Sequence, residues 1–432
     1  MLCSLALAAA AALPAAQKPI QEDLESAIAQ IEEHCMALIE LKEIDWKTVT
    51  KELRKEAKKG YKDEHEWVLL QKLVASLRDG HARVERSEAM QELVWPEDGS
   101  WFDRSKEWGD SGLSLCLVGK KIYVKGVRGQ AEDLAIEPGA EVTRLNEEKP
   151  LKWLEEQIET HGELISWSTD HQAFFWATHW GLAGPSGERL KIEFKGSDRK
   201  KKKRVITFGE SSYRMAGPAV WPADLMGEKD IRYTRLADGW GYIHVRRCKD
   251  DLPEQFDEAL AELANVPGIV LDFRGNSGGA FDHDALLGRF VQQGTSLDFV
   301  KKIESAGPQP YAGPVVVIVD GTVVSAGETA SGMFKEEGRA YMIGESPTAG
   351  MSASKKTLEL PSGKFALYVS VYSNKARWQG GRGIEGIGVE PHEIVPYDPE
   401  DLFAGIDTQI RVACERLAKM PKGKVPYQPP KS

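Results

Sequence analysis

Apolar positions along the chain fall into three regimes. From 20 to 92 they recur at helical spacing. Leu24, Ala27, Ile28, Ile31 and Cys35 share one face, and Trp67, Leu70, Leu73, Val74 and Leu77 share another. This spacing predicts helices, the last closed by Arg78-Asp79-Gly80, where glycine suits a C-terminal cap and His81 is displayed just beyond it. From 105 to 208 the pattern is that of strands. Residues 111–127 read as two strands joined by Gly119-Lys120-Lys121. A short helix, a Pro138-Gly139 turn and a further strand follow, and 190–194 and 204–208 form a last pair. Between them, 150–187 is rich in Trp and His and reads as an insertion with helices. From 228 to 420, unalternating apolar runs at 268–273, 314–320 and 340–345 read as strands buried on both faces. They alternate with helical spacing at 253–264, at 283–292 and after Ser325. A strand at 239–245, a hairpin at 357–372 and a helix at 402–419 complete the region. Such alternation predicts an α/β fold, a mainly parallel sheet with helices against it.

Composition narrows the function classes. A chain of 432 residues holds two or three domains, and a formal net charge of −10 argues against a nucleic-acid partner. The basic run at 199–204 reads as a solvated hairpin tip. Residues 1–16, an Ala/Leu-rich apolar run ending in small residues, have the character of a secretory signal peptide. They predict a periplasmic or secreted protein. The run is too short for a membrane span, and no later stretch supplies one. Beyond it, Cys35, Cys116, Cys248 and Cys414 are scattered without metal-ligand spacing. Cys116 and Cys248 sit in apolar runs that predict buried thiols.

Candidate chemistry gathers at two strand ends. Ser325 lies between the run 315–319 and a helical segment, so it meets the free N–H groups of a helix start, which can stabilise an oxyanion. Upstream, LDFRGNSGG at 271–279 ends another strand in glycines that permit close backbone approach. The stretch does not fit a phosphate-binding loop. Asp282-His283-Asp284 reads as a helix start rather than a metal site, and His161, His171 and His179 read as packing residues.

Taken together these stretches resemble the C-terminal processing (tail-specific) serine peptidases. LDFRGNSGG, VDGTVVSAGETASGMF (319–334), RAYMIGESPTAGM (339–351) and GIGVEPHEIVP (386–396) match that family's segments in order, and PGAEVTRLN (138–146) resembles part of a PDZ domain. The resemblance implies a crotonase-like core of ββα units, with Ser325 as nucleophile and the backbone of Gly278, Gly279 and Ala326 as oxyanion hole. Where the family carries a lysine base this chain has Met351. Lys355, four residues on, is displaced by roughly 13 Å in an extended segment. The tricorn-core-like branch instead takes a histidine from an N-terminal segment that LRDGHARV (77–84) resembles, which places His81, and a glutamate that falls on Glu385. Tricorn has a serine before its histidine, where this chain has Gly80.

The expected organisation is a signal peptide at 1–16, a helical region at 17–104, a PDZ-like domain with an insertion at 105–208 and a peptidase core at 209–432. The expected function is a serine endopeptidase acting near the C-termini of protein substrates with unstructured tails, through Ser325, His81 and Glu385, with neither metal nor cofactor. The alternative is an inactive relative that binds apolar ligands or peptides.

Overall fold

The run Val315–Val319 is the middle of a six-stranded sheet, and its pattern explains its place. Val315, Val317 and Val319 face one layer of helices, and Val316 and Ile318 face another, so alternation gives way to an unbroken apolar run. The computed structural model describes residues 19–59, 62–96, 108–209, 216–298, 301–373 and 378–420. The apolar run at 1–16 lies outside the described residues. The strand order is Glu393–Ile394, Tyr341–Gly344, Val315–Val319, Ile269–Asp272, Gly241–Val245, Ile231–Arg235. All neighbours are parallel except the last pair, which is antiparallel. Leu252–Glu262, His283–Gly288 and Ala326–Glu336 cover one face through Phe256, Leu287, Met333 and Phe334. Thr408–Lys419 covers the other through Ile410, Ala413 and Leu417.

The single helix expected at 402–419 is two. Pro399–Phe403 stops at Gly405, which has φ +70, and Asp407 then caps a new start by accepting from Ile410 N–H. Helical spacing at 283–292 is realised only over His283–Gly288.

The N-terminal helices Pro19–Leu41, Trp46–Ala57 and Asp63–Ala75 pack together. They also cover a sheet expected to belong wholly to the downstream core. Its strands are Arg83–Arg86, Phe365–Tyr372 and Ser354–Glu359, and Leu358, Phe365, Leu367 and Val369 share one cluster with Leu24, Ile28, Leu70 and Val74. The strand Arg83–Arg86 begins two residues after His81, so the hairpin sets where that histidine stands.

The segment 108–208 forms a five-stranded antiparallel sheet in the order Leu113–Val118, Lys121–Val127, Glu141–Leu145, Arg189–Lys195, Lys201–Thr207. The insertion supplies the helices Pro150–Gly162 and Asp170–His179, whose Trp153, Leu154 and Ala177 join the core of that sheet. The four described cysteines are free and buried. Among the described residues no helix is long and apolar enough to cross a membrane.

Candidate active site

Ser325 caps the helix Ala326–Glu336 with φ +55 and ψ −123. A non-glycine residue there is strained by about 1–3 kcal/mol unless its surroundings hold it. Its N–H is 3.2 Å from the Met351 carbonyl oxygen and 3.1 Å from Glu328 Oε2. Glu328 is fully buried and accepts also from Thr348 Oγ1 (2.6 Å), Gly350 N (2.7 Å) and Met351 N (2.9 Å). Burial pushes its carboxyl up to about 8, against these donors and with Glu385 adding to the rise. One carboxyl thus fastens the serine turn to the loop that follows Tyr341–Gly344.

The glycine-rich loop closes on the serine from the other side. Val324 N–H donates to the Asn276 carbonyl (3.1 Å), and a Cβ at Gly278 would stand 2.8 Å from Ser325 Cβ. Only glycine lets the two chains lie this close. The expected oxyanion donors separate at this point. Gly278 N–H is engaged by Asn276 Oδ1 at 2.8 Å, so Gly278 acts as a spacer and not as a free donor. The N–H groups of Gly279 and Ala326 donate to no acceptor among the described residues. Arg274, in the same loop, is fully buried between Asp272 and Asp407 and anchors the loop to the C-terminal helix.

His81 follows a turn locked by Asp79, whose carboxylate accepts from His81 N (2.9 Å), Ser370 N (2.7 Å) and Ser370 Oγ (3.0 Å). The ring is 12% exposed, and Nδ1 is buried without a hydrogen-bond partner among the described residues, 3.8 Å from Asp79 Oδ1. Burial lowers the imidazole to about 4; Asp79 opposes the shift, and Lys355, Arg83 and Lys42 add to it. This departs from the value near 6.5 of an open imidazole. The ring is therefore neutral, a proton acceptor, at neutral pH. The two loops converge at Met351: a Cβ at Gly80 would lie 2.7 Å from Met351 Sδ, and the Met351 carbonyl holds Ser325 N–H.

Glu385 does not meet His81. It is fully buried, with Lys42 Nζ 2.7 Å from Oε1 and Ser352 N–H donating to Oε2 at 2.9 Å. The acid beside the imidazole is Asp79. Lys42, which follows the first helix, also donates to the Arg78 carbonyl at 2.7 Å. Nothing in the pattern near Lys42 marks it as buried, whereas Glu328 was legible as the fourth residue of a Ser-x-x-Glu capping box. Lys355 and Lys356 lie exposed on Ser354–Glu359, and Lys356 Nζ is 2.8 Å from His34 Nε2. Asp282 caps its helix, and His283 Nε2 is 2.6 Å from Thr329 Oγ1, so neither is arranged as a ligand.

With this geometry in place, residues 239–395 match the model of peptidase family S41. The likeness to peptidase family S41 is thus shown for that segment. The chain is similar to the carboxyl-terminal-processing protease of Picosynechococcus sp., 29% identical over 169 residues, which are 37% of this chain and 40% of that protein. It is 30% identical over 183 residues to the chloroplastic C-terminal processing peptidase of Tetradesmus obliquus, covering 40% and 38%. It is 25% identical over 182 residues to the tricorn protease of Thermoplasma acidophilum, covering 41% and 16%. The matched segment thus spans 40% or less of each of these relatives. In fold, the chain resembles mature CPAF solved in complex with lactacystin. The TM-score is 0.63 at 12% identity, covering 93% of this chain and 99% of that one. The likeness in fold therefore extends well beyond residues 239–395.

Proposed function

We infer that the protein is a serine endopeptidase that hydrolyses peptide bonds near the C-termini of protein substrates. The observation that carries this reading is Ser325. It is held in a left-handed conformation at a helix start, with the unspent N–H groups of Ala326 and Gly279 beside it. Ser325 Oγ attacks the scissile carbonyl carbon while neutral His81 takes the hydroxyl proton. The oxyanion that forms accepts from Ala326 N–H and Gly279 N–H, donors already fixed before reaction. Imidazolium then protonates the leaving amine, and the acyl-enzyme is hydrolysed by a water that His81 deprotonates.

His81 Nδ1 and Asp79 Oδ1 need to approach by less than about 1 Å to form a normal hydrogen bond, and catalytic contacts commonly tighten on substrate binding. Asp79 is thus the residue that orients the imidazole. Glu385 acts at one remove: it fixes Ser352 N–H and pairs with Lys42 beneath the site.

The segment 105–208 is read as a PDZ-like domain, 17–104 as a helical region and 209–432 as a crotonase-like peptidase core. Among the described residues the strand Leu113–Val118 is paired on one side only. Its open edge, beside the helix Asp170–His179, suits an unstructured C-terminal tail added as a further strand. The apolar run at 1–16 supports a periplasmic or secreted location.

The test is labelling by a serine-directed fluorophosphonate. Ser325 takes the label, and Ser325→Ala loses both label and proteolysis while keeping its circular dichroism. Ser331 is fully buried and bonded to the Gly327 carbonyl, so it is not a competitor. Labelling at Ser352 would move the nucleophile and overturn the assignment.

A further inference from the structure

The turn between the insertion's two helices, together with the first residues of the second, spans residues 164–172 and touches both loops that carry the site. From the His81 loop, Asp79 N–H donates to Ser166 Oγ at 2.7 Å and Gly80 N–H to Ser168 Oγ at 3.0 Å. On the serine side, Thr169 Oγ1 donates to the Ala349 carbonyl at 2.9 Å, and His171 Nε2 lies 2.6 Å from the Thr348 carbonyl. Gln172 Nε2 donates to Met351 Sδ at 3.0 Å. Within this stretch, Ser168 N–H donates to Gln172 Oε1 at 2.7 Å. An unbroken line therefore runs from Gly80 N–H through Ser168 and Gln172 to Met351, whose carbonyl accepts Ser325 N–H.

We propose that Ser168 and Gln172 are positioning residues that set the reach of His81 to Ser325 by clasping the Gly80 turn to Met351. The proposal rests on the reading of Ser325 as nucleophile and His81 as base. Those two residues come from segments far apart in sequence and are held by different sheets. The imidazole lies on the side of the three-stranded sheet and the serine on the side of the six-stranded one. A clasp that bonds both loops fixes their separation more directly than either sheet does. It also gives Met351 a role: a thioether accepts a hydrogen bond without carrying charge into a buried site. The Trp- and His-rich insertion, which pattern alone reads as packing, thereby becomes part of the catalytic geometry.

The test uses the full chain, a short fluorogenic peptide, and the variants Ser168→Ala, Gln172→Ala, their double and Met351→Leu. Each single alanine lowers kcat by roughly 10- to 100-fold with KM within about twofold, the range expected for a misplacement of about 1 Å. The double is no worse than the weaker single by more than about twofold, since one line of bonds is cut only once. Met351→Leu keeps its apolar volume, so it folds; it removes the acceptor of Gln172 and lowers kcat several-fold. In all variants the acid limb of the pH–rate profile moves up, because a loosened turn admits water to His81, which Asp79, Lys355, Arg83 and Lys42 also face. Unchanged kcat and pH profile in folded Met351→Leu and Gln172→Ala overturns the clasp. So do losses that multiply in the double. Full turnover by Ser325→Ala or His81→Ala would instead remove the parent reading, and the clasp with it.

Discussion

Replacing Lys42 by Met tests the electrostatic floor of the site. The lysine side chain is 3% exposed and Glu385 is 0% exposed, with Nζ 2.7 Å from Oε1 and 2.7 Å from the Arg78 carbonyl. Methionine fills a similar space and leaves the carboxylate without its cation. Removing one partner of a buried pair costs about 3–5 kcal/mol, because the remaining charge is desolvated and uncompensated. The loss depends on pH, and its sign follows from the carboxyl. Burial already raises Glu385 above the usual range, with Lys42 opposing and Asp79 adding to the rise. Without Lys42 the value climbs further. A carboxyl raised on folding binds its proton more tightly in the folded state. Its penalty is therefore absent below the unfolded value and grows as pH rises through the folded one. Urea unfolding followed by circular dichroism should give a deficit of about 3–5 kcal/mol at pH 8. At pH 5 it should be smaller by more than about 1 kcal/mol, the worth of roughly one pH unit of linkage. Glu385→Gln introduced together with Lys42→Met should recover much of the deficit, since a neutral amide needs no cation. A deficit under about 0.5 kcal/mol, the level of an ordinary surface substitution, or one equal at both pH values, would refute the reasoning.

The remaining predictions address catalysis. The acid limb of kcat/KM should fall near pH 4, the value burial gives His81, and not near the open imidazole's 6.5; His81→Ala should lower kcat by on the order of 10³-fold or more. Asp79→Asn should move that limb to still lower pH, because Asp79 is the group holding the imidazole's value up, and should lower kcat. Glu385→Gln should leave the limb in place. A limb that moves only in Glu385→Gln would return the orienting role to Glu385.

The sheet and the serine were legible because local pattern carries them. An unbroken β-branched run followed by Ser-Ala-Gly-Glu can be a buried strand entering a capped helix, and the glycines of 275–279 mark a close approach whose partner proved to be Ser325. What sequence does not carry is side-chain pairing across segments. The spacing of Lys42 does not announce that its ammonium enters the core, since its partner lies 343 residues on. The glutamate at 385 falls at the right place in a familiar segment, yet its oxygens are taken by Lys42 and Ser352. Pattern places Asp79 only in the Arg78-Asp79-Gly80 turn, although its carboxylate, fastened to Ser370, fixes that turn. The hairpin at 357–372 was legible as a hairpin, but its apolar face could not say which helices would cover it.

These placements separate what holds the proposed nucleophile from what would use it. The strain at Ser325 persists because its N–H has two acceptors, Met351 O and Glu328 Oε2, and Val324 N–H has Asn276 O, all on segments packed into the sheet. That support spends the N–H of residue 325 itself and leaves the next one, Ala326, without an acceptor. The same loop spends Gly278 N–H on Asn276 and leaves Gly279 N–H unspent. On each side of the serine, then, one amide is used to build the turn and its neighbour stays available to an oxyanion. The imidazole has no such internal support: its Nδ1 is buried and unpaired among the described residues, and its turn is held by Asp79 and by serines of the insertion. In the proposed mechanism, oxyanion stabilisation is thus built into the rigid sheet, whereas proton transfer depends on how the outer segments seat the His81 turn. Damage to those segments should therefore impair general-base catalysis before it impairs the oxyanion site.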